Sequence, residues 1–171
     1  MGTKVTIRLM QDNHEDMAAL QRVLESAPTY AERVTGAPPG AADAQSMFTI
    51  LPEGKSYDDK FVFGIFLGGQ MIGCIDIIRG YPAASTATVG LLLVAEQYQR
   101  TGLGRLAYAE LERLVQTWDS CVRVRLGVVM TNSDVIAFWR KLGFSETGEM
   151  RPYDYRSVHS RTMMMEKSLR S

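Results

Sequence analysis

The fold of this chain turns on residues 89–118, VGLLLVAEQYQRTGLGRLAYAELERLVQTW. Val89 to Val94 is a short apolar run closed by polar residues, which reads as a buried strand. A polar loop, Ala95 to Thr101, follows. Gly102, Leu103 and Gly104 then open a helix in which Leu103, Ala107, Leu111, Leu114 and Trp118 fall on one face at helical spacing. A strand, a glycine turn and a helix start form an anion site. The first-turn N–H groups lack intrahelical partners, and the helix dipole adds positive potential there. Gly102 and Gly104 carry no Cβ, so a phosphate can approach the backbone closely. The stretch reads as a phosphate cradle.

Two other phosphate motifs do not fit. A P-loop requires Lys and then Ser or Thr after its second glycine, whereas Arg105 and Leu106 follow Gly104. Gly102, Gly104 and Ala107 match G-x-G-x-x-A, but a dinucleotide fingerprint follows its strand directly, and here Ala95 to Thr101 intervene. The expected ribose-binding acid is also misplaced: Asp119 precedes the next strand instead of following it.

Outward from this stretch, the chain reads as one mixed domain over residues 1–171. Val5, Ile7 and Leu9 alternate with Thr6 and Arg8, giving a first strand. Asp12 to Glu15 forms a capping-box variant ahead of a helix to Ser26, with Met17, Leu20, Val23 and Leu24 as its apolar stripe. Ala27 to Tyr57 is punctuated by Pro28, Gly36, Pro38, Pro39, Gly40, Pro52 and Gly54. One further helix is expected there, from Ala41 to Leu51. Phe61 to Leu67 and Met71 to Arg79 make a hairpin about Gly68-Gly69. After the helix to Trp118, Val122 to Val128 alternates as a strand. Asn132 or Ser133 caps a short helix whose Val135, Phe138, Trp139 and Leu142 face inward, and Gly143 stops it. Phe144 to Met150 and Arg161 to Lys167 form a closing strand pair, with a polar, aromatic loop between them. The order is β-α-α-β-β-β-α-β-α-β-β: an α/β fold with a mixed sheet of about seven strands flanked by about four helices.

Composition narrows the function classes. With 46% hydrophobic and 22% charged residues, the chain suits a soluble globular protein. Formal net charge is zero, so no global field favours nucleic acid or an anionic membrane, and any anion site must be local. Cys74 and Cys121 sit in or beside strands as small core residues. Without a clustered His/Cys/Asp set they give no metal signal. Reduced thiols and the lack of a signal-peptide core in MGTKVTIRLM point to the cytoplasm.

Two motifs together resemble the GNAT superfamily of N-acetyltransferases. Gln99-Arg100-Thr101-Gly102-Leu103-Gly104 fits its Q/R-x-x-G-x-G/A, and NSDVIAFWRKLGF, Asn132 to Phe144, resembles its N-x-x-A-x-x-F-Y-x-x-x-G-F, with Val135 in place of the usual Ala or Ser. The resemblance implies an enzyme that moves an acetyl group from acetyl-CoA directly to a primary amine of a small molecule or peptide. It implies no metal and leaves room for a homodimer. It places the donor's pyrophosphate on the backbone of Gln99 to Gly104, beside Arg105. Its pantetheine arm would lie along Leu92, Leu93 and Val94, in a gap between that strand and Cys121 to Val129. Asn132 would hold the donor and Phe138 would line its far side. A backbone N–H near Leu92 would polarise the thioester carbonyl.

Trp139 departs from the pattern. It stands where the family carries a tyrosine that protonates the leaving thiolate, and an indole N–H is no acid near neutral pH. An amine acceptor must also lose a proton before attack. Asp76 is the first candidate base and Tyr153 the first candidate acid, with Glu96, Tyr98, Tyr155 and His159 as further titratable groups nearby. Trp139 keeps open a non-catalytic acyl-CoA-binding domain.

Overall fold

In the computed structural model, residues 4–170 are described. A seven-stranded sheet runs in the order β1-β2-β3-β4-β5-β7-β6. Its strands are β1 (Val5–Leu9), β2 (Lys60–Leu67), β3 (Gln70–Arg79), β4 (Thr86–Val94), β5 (Arg123–Val129), β6 (Ser145–Tyr155) and β7 (Val158–Ser168). Among the described residues only β4 and β5 pair in parallel. The helices are α1 (His14–Glu25), α2 (Pro28–Thr35), α3 (Asp43–Thr49), α4 (Leu103–Gln116) and α5 (Ile136–Lys141). None of these is long and apolar enough to cross a membrane.

The sheet carries a core on each face. On one, Leu103, Ala107, Leu111 and Val115 of α4 pack with Ile75, Ile77, Val124 and Trp139. On the other, Leu20, Val23 and Leu24 of α1 pack with Ala44, Met47, Val62, Cys74 and Leu93. Strand alternation puts Cys74 and Asp76 on this second face. The β2–β3 hairpin turns through Gly68 (φ 57°) and Gly69 (φ 85°), both in the region open to glycine.

Four expectations need correction. First, α2 is an additional helix. Pro28 occupies a first-turn position, where its missing N–H costs nothing, and Gly36 (φ 75°) closes the helix in left-handed geometry. The two residues that read as breakers are its start and stop. Second, Asn13 caps α1 through the Asp16 N–H (2.8 Å), one residue later than expected. Third, Asn132 caps no helix: residues Met130–Val135 form a 3-10 turn, and α5 begins at Ile136 without a side-chain cap. Fourth, the expected loop after Met150 is strand. β6 continues to Tyr155, so Tyr153 pairs with Ser160 and Asp154 with His159 across a tight turn.

Candidate active site

The cleft is made by a failure of pairing. β4 and β5 pair from Thr86↔Arg123 to Val89↔Leu126 and then part. Each keeps its outer neighbour: β4 stays paired with β3 up to Val94, and β5 with β7 up to Val129. The register shift between Asp76 and Ile77 leaves Gly90 as an extra residue on β4, a bulge at the point where the strands diverge. Beyond it, the β4 edge facing β5 is a free strand edge that an extended ligand can pair with. The opening has a volume of about 490 Å³, with walls from β4, β5, the α4 start, α5 and α2.

One end of the cleft is built for an anion. Gly102 (φ 85°) precedes α4 without a capping side chain, so the first-turn N–H groups stay open. Arg100 is also left-handed (φ 62°), folding the loop back on itself. The loop is pinned from within, as Gln99 Nε2 donates to the Val94 carbonyl (2.7 Å) and the Thr101 hydroxyl donates to that of Tyr98. A Cβ on Gly104 would lie 3.4 Å from the Phe138 ring, so this wall tolerates little bulk. Arg100, Arg105 and Lys141 line the cleft, and none has a carboxylate partner among the described residues. Three uncompensated cations and an open helix start suit a polyphosphate.

Of the residues named from the sequence and the resemblance, Leu92, Leu93, Val94, Gln99, Arg100, Gly102, Gly104, Arg105, Asn132 and Phe138 line this cleft. Thr101 and Leu103 do not. Leu103 turns into the core, leaving only its backbone for a ligand. Asn132 lines the cleft, but its Oδ1 accepts from Arg33 (3.2 Å), and the same guanidinium holds Asp134 at 3.1 Å. Trp139 is buried, edge-on to Tyr108, Phe138 and Phe144 at centroid distances of 5.8, 4.9 and 5.2 Å. Burial pushes the Tyr108 phenol well up, and its hydroxyl is committed to Glu112 (3.0 Å).

The opposite wall comes from the irregular segment Ala27 to Tyr57, where a pocket wall but not this helix was expected. Thr29, Tyr30, Arg33 and Val34 of α2 close the cleft over the second face of the sheet. Three tethers place this helix. The Glu96 carboxylate accepts from the Thr29 N–H (2.8 Å), and that bond holds the Glu96 carboxyl below its usual range. Thr131 donates to the Arg33 carbonyl (2.5 Å). Tyr153 donates to the Val34 carbonyl (2.5 Å). Tyr153 is therefore not a cleft-lining residue, and its proton is already given to a carbonyl.

Asp76 lies just behind the cleft wall. Its Oδ2 is 3.0 Å from where a Cβ on Gly90 would stand. Its Oδ1 lies 2.8 Å from Lys60 Nζ, off hydrogen-bond alignment, and has no other donor among the described residues. Burial raises the Asp76 carboxyl above its usual range, while the Lys60 charge pulls it part of the way back. Near it, burial raises the Tyr30 phenol to about 12, with Tyr153, Cys74 and Asp76 adding to the effect. No group of three metal-ligating side chains occurs among the described residues.

Residues 21–144 match the model of the acetyltransferase (GNAT) family. No curated protein matches the chain. Among solved structures, an acetyltransferase from Thermus thermophilus is similar at 26% identity, over 96% of this chain and 97% of that one, with a TM-score of 0.72. The ribosomal-protein-S18-alanine N-acetyltransferase from Escherichia coli shares the fold at 22% identity, covering 97% and 94%, with a TM-score of 0.65. A GNAT-family acetyltransferase from Streptococcus pneumoniae shares it at 18% identity, covering 96% and 99%, with a TM-score of 0.68.

Proposed function

This chain belongs to the GNAT acetyltransferase family and transfers an acetyl group from acetyl-CoA to an amine; we propose that the acceptor is a primary amine of a small molecule or peptide, acetylated directly in the β4–β5 cleft. The observation that carries this reading is the geometry of that cleft. A free β4 edge leads to an open helix start with glycines at its closest approach. The chain acts as one catalytic unit in the cytoplasm, where both cysteines stay reduced in the core.

Each residue then has a task. The backbone of Gln99 to Gly104 takes the pyrophosphate, with Arg100, Arg105 and Lys141 around it. The edge of Leu92 to Val94 pairs with the pantetheine arm, and Asn132 and Phe138 hold its other side. A free N–H near Leu92 polarises the thioester carbonyl as charge develops on its oxygen. The amine approaches from the α2 side, between Tyr30 and Gly90. Asp76 takes its proton, since a carboxylate raised by burial is a better base than one in water. The nitrogen attacks the carbonyl carbon, and the C–S bond breaks with its electron pair on sulfur. Trp139 walls the cleft and donates no proton. Direct transfer suits the cysteines, because neither Cys74 nor Cys121 lines the cleft and both are buried.

Incubation with acetyl-CoA and a panel of amines should release free thiol in step with acetylated amine. Tight CoA binding without thiol release for any amine would overturn the catalytic reading in favour of a binding domain. A dinucleotide-binding domain has no place here, because a doubly wound sheet is parallel and only β4–β5 is parallel among the described strands.

A further inference from the structure

The Lys60 side chain is buried, with 5% of its surface exposed. A buried ammonium without a task is costly. Its stem lines a second opening beside Phe48, Tyr57 and Phe61, on the side of the sheet away from β5. Its Nζ meets Asp76 from β2, at Oδ1. On the other side of the same carboxylate, Oδ2 faces β4 at its bulge, Gly90. The cation thus holds one oxygen from behind and leaves the other facing the cleft. Gly90, the only glycine of β4, lines the cleft and puts no side chain against Oδ2.

Resting on the reading of Asp76 as base, we propose that Lys60 is a positioning residue for the transfer: its ammonium keeps Asp76 ionised and turned so that Oδ2 reaches the acceptor amine past Gly90. One N–H proton of the acceptor ammonium moves to Oδ2, and the freed lone pair forms the N–C bond as C–S breaks. The second proton, lost by the amide nitrogen, ends on the CoA sulfur. Asp76 returns its own to water before the next turnover. The other titratable groups around the carboxylate are Cys74 on β3, Tyr30 on α2 and, beyond Tyr30, Tyr153 on β6. None of these is a cation, so none can replace Lys60.

The sign follows from the charge. Asp76 works as carboxylate, so activity falls as pH drops through its pKa in the enzyme. Removing a nearby positive charge raises that pKa and moves the acidic limb to higher pH. The experiment measures kcat against pH at saturating acetyl-CoA, with two amines of different pKa; the limb that does not follow the amine belongs to the enzyme. Lys60→Met should move that limb up by about one unit, a tenfold loss at its lower end, with activity recovering at alkaline pH. Lys60→Arg, which keeps the charge, should stay near wild type. Asp76→Asn should abolish the limb and lower kcat about 10²-fold. A limb lost in Asp76→Asn but unmoved in Lys60→Met overturns the Lys60 proposal and leaves the base reading intact. A limb kept in Asp76→Asn overturns the base reading itself. Should Lys60→Met fail to melt cooperatively or bind CoA, Gly90→Ala tests the same geometry. Its methyl, 3.0 Å from Oδ2, should lower kcat at least tenfold with KM for acetyl-CoA within twofold, and an unchanged kcat overturns the proposed route.

Discussion

Gly104 separates the cradle from every bland use of a helix start. Its missing Cβ would stand 3.4 Å from two atoms of the Phe138 ring and 3.8 Å from Val94 Cγ2. Alanine therefore fits with a shift of a few tenths of an ångström, whereas the two methyls of valine project into the space between α4 and Phe138. The fold has little at stake, because either residue is a better helix former than glycine by up to about 1 kcal/mol. A ligand phosphate has much more at stake. A hydrogen bond to a charged group is worth about 1.5–3 kcal/mol, so losing one N–H contact to the phosphate weakens binding about 10- to 150-fold. In both variants stability and CoA affinity should thus part company, more widely in valine than in alanine. Gly104→Ala should hold or raise the melting temperature while modestly weakening CoA. Gly104→Val should hold the fold and lose at least tenfold in CoA affinity by titration calorimetry. Wild-type CoA affinity in Gly104→Val, with heat signals intact, would refute the assignment of this turn to the pyrophosphate.

Trp139→Phe should leave the shape of the pH–rate profile unchanged and cost roughly 1–3 kcal/mol of stability, since it opens space in the cluster with Tyr108, Phe138 and Phe144; loss of an alkaline limb would show that the indole position carries proton transfer after all. Tyr153 was the first acid candidate, but its hydroxyl serves the Val34 carbonyl. Tyr153→Phe should then cost about 1 kcal/mol and raise KM for the amine by loosening α2. A kcat drop near 10²-fold with unchanged KM would restore it as the acid. Asp16 is held below its ordinary value of 3.8 by hydrogen bonds from Arg8 and the Gln11 N–H. A depressed carboxyl contributes stability that is complete above that value and lost as pH falls through the folded pKa. Asp16→Asn should therefore flatten the acid side of a plot of melting temperature against pH, below about pH 4; an unchanged acid slope would assign that loss to other carboxylates.

The turn and helix start that we assign to the donor were legible in the sequence, and the helix that walls the cleft opposite them was not, for one physical reason. In that assignment donor binding uses backbone: free N–H groups at a helix start, a strand edge, glycines where a ligand comes close. Those needs leave local marks, so the turn at Gly102 and Gly104 could be read in place, whereas the part given to Leu92–Val94 came from the family resemblance. The gap between β4 and β5 was expected as well, though only from the family resemblance. The α2 wall instead depends on contacts between residues far apart in the chain. Thr29 meets Glu96 67 residues on, Arg33 meets Asn132 99 residues on, and Tyr153 reaches back 119 residues to Val34. Each contact takes a side chain that looked free in the sequence and commits it. Glu96 stays on the surface but is tied to the Thr29 N–H, Asn132 ceases to be a helix cap and Tyr153 a spare phenol. Asp76 went the other way: its alternation in β3 fitted a solvent face as well as a buried one, and the fold buried it with Lys60 against it. A local signal for α2 did exist, Pro28 at its first turn and Gly36 just past its last. The same two residues also mark an irregular loop, and only the tethers to Glu96, Thr131 and Tyr153 decide between the two.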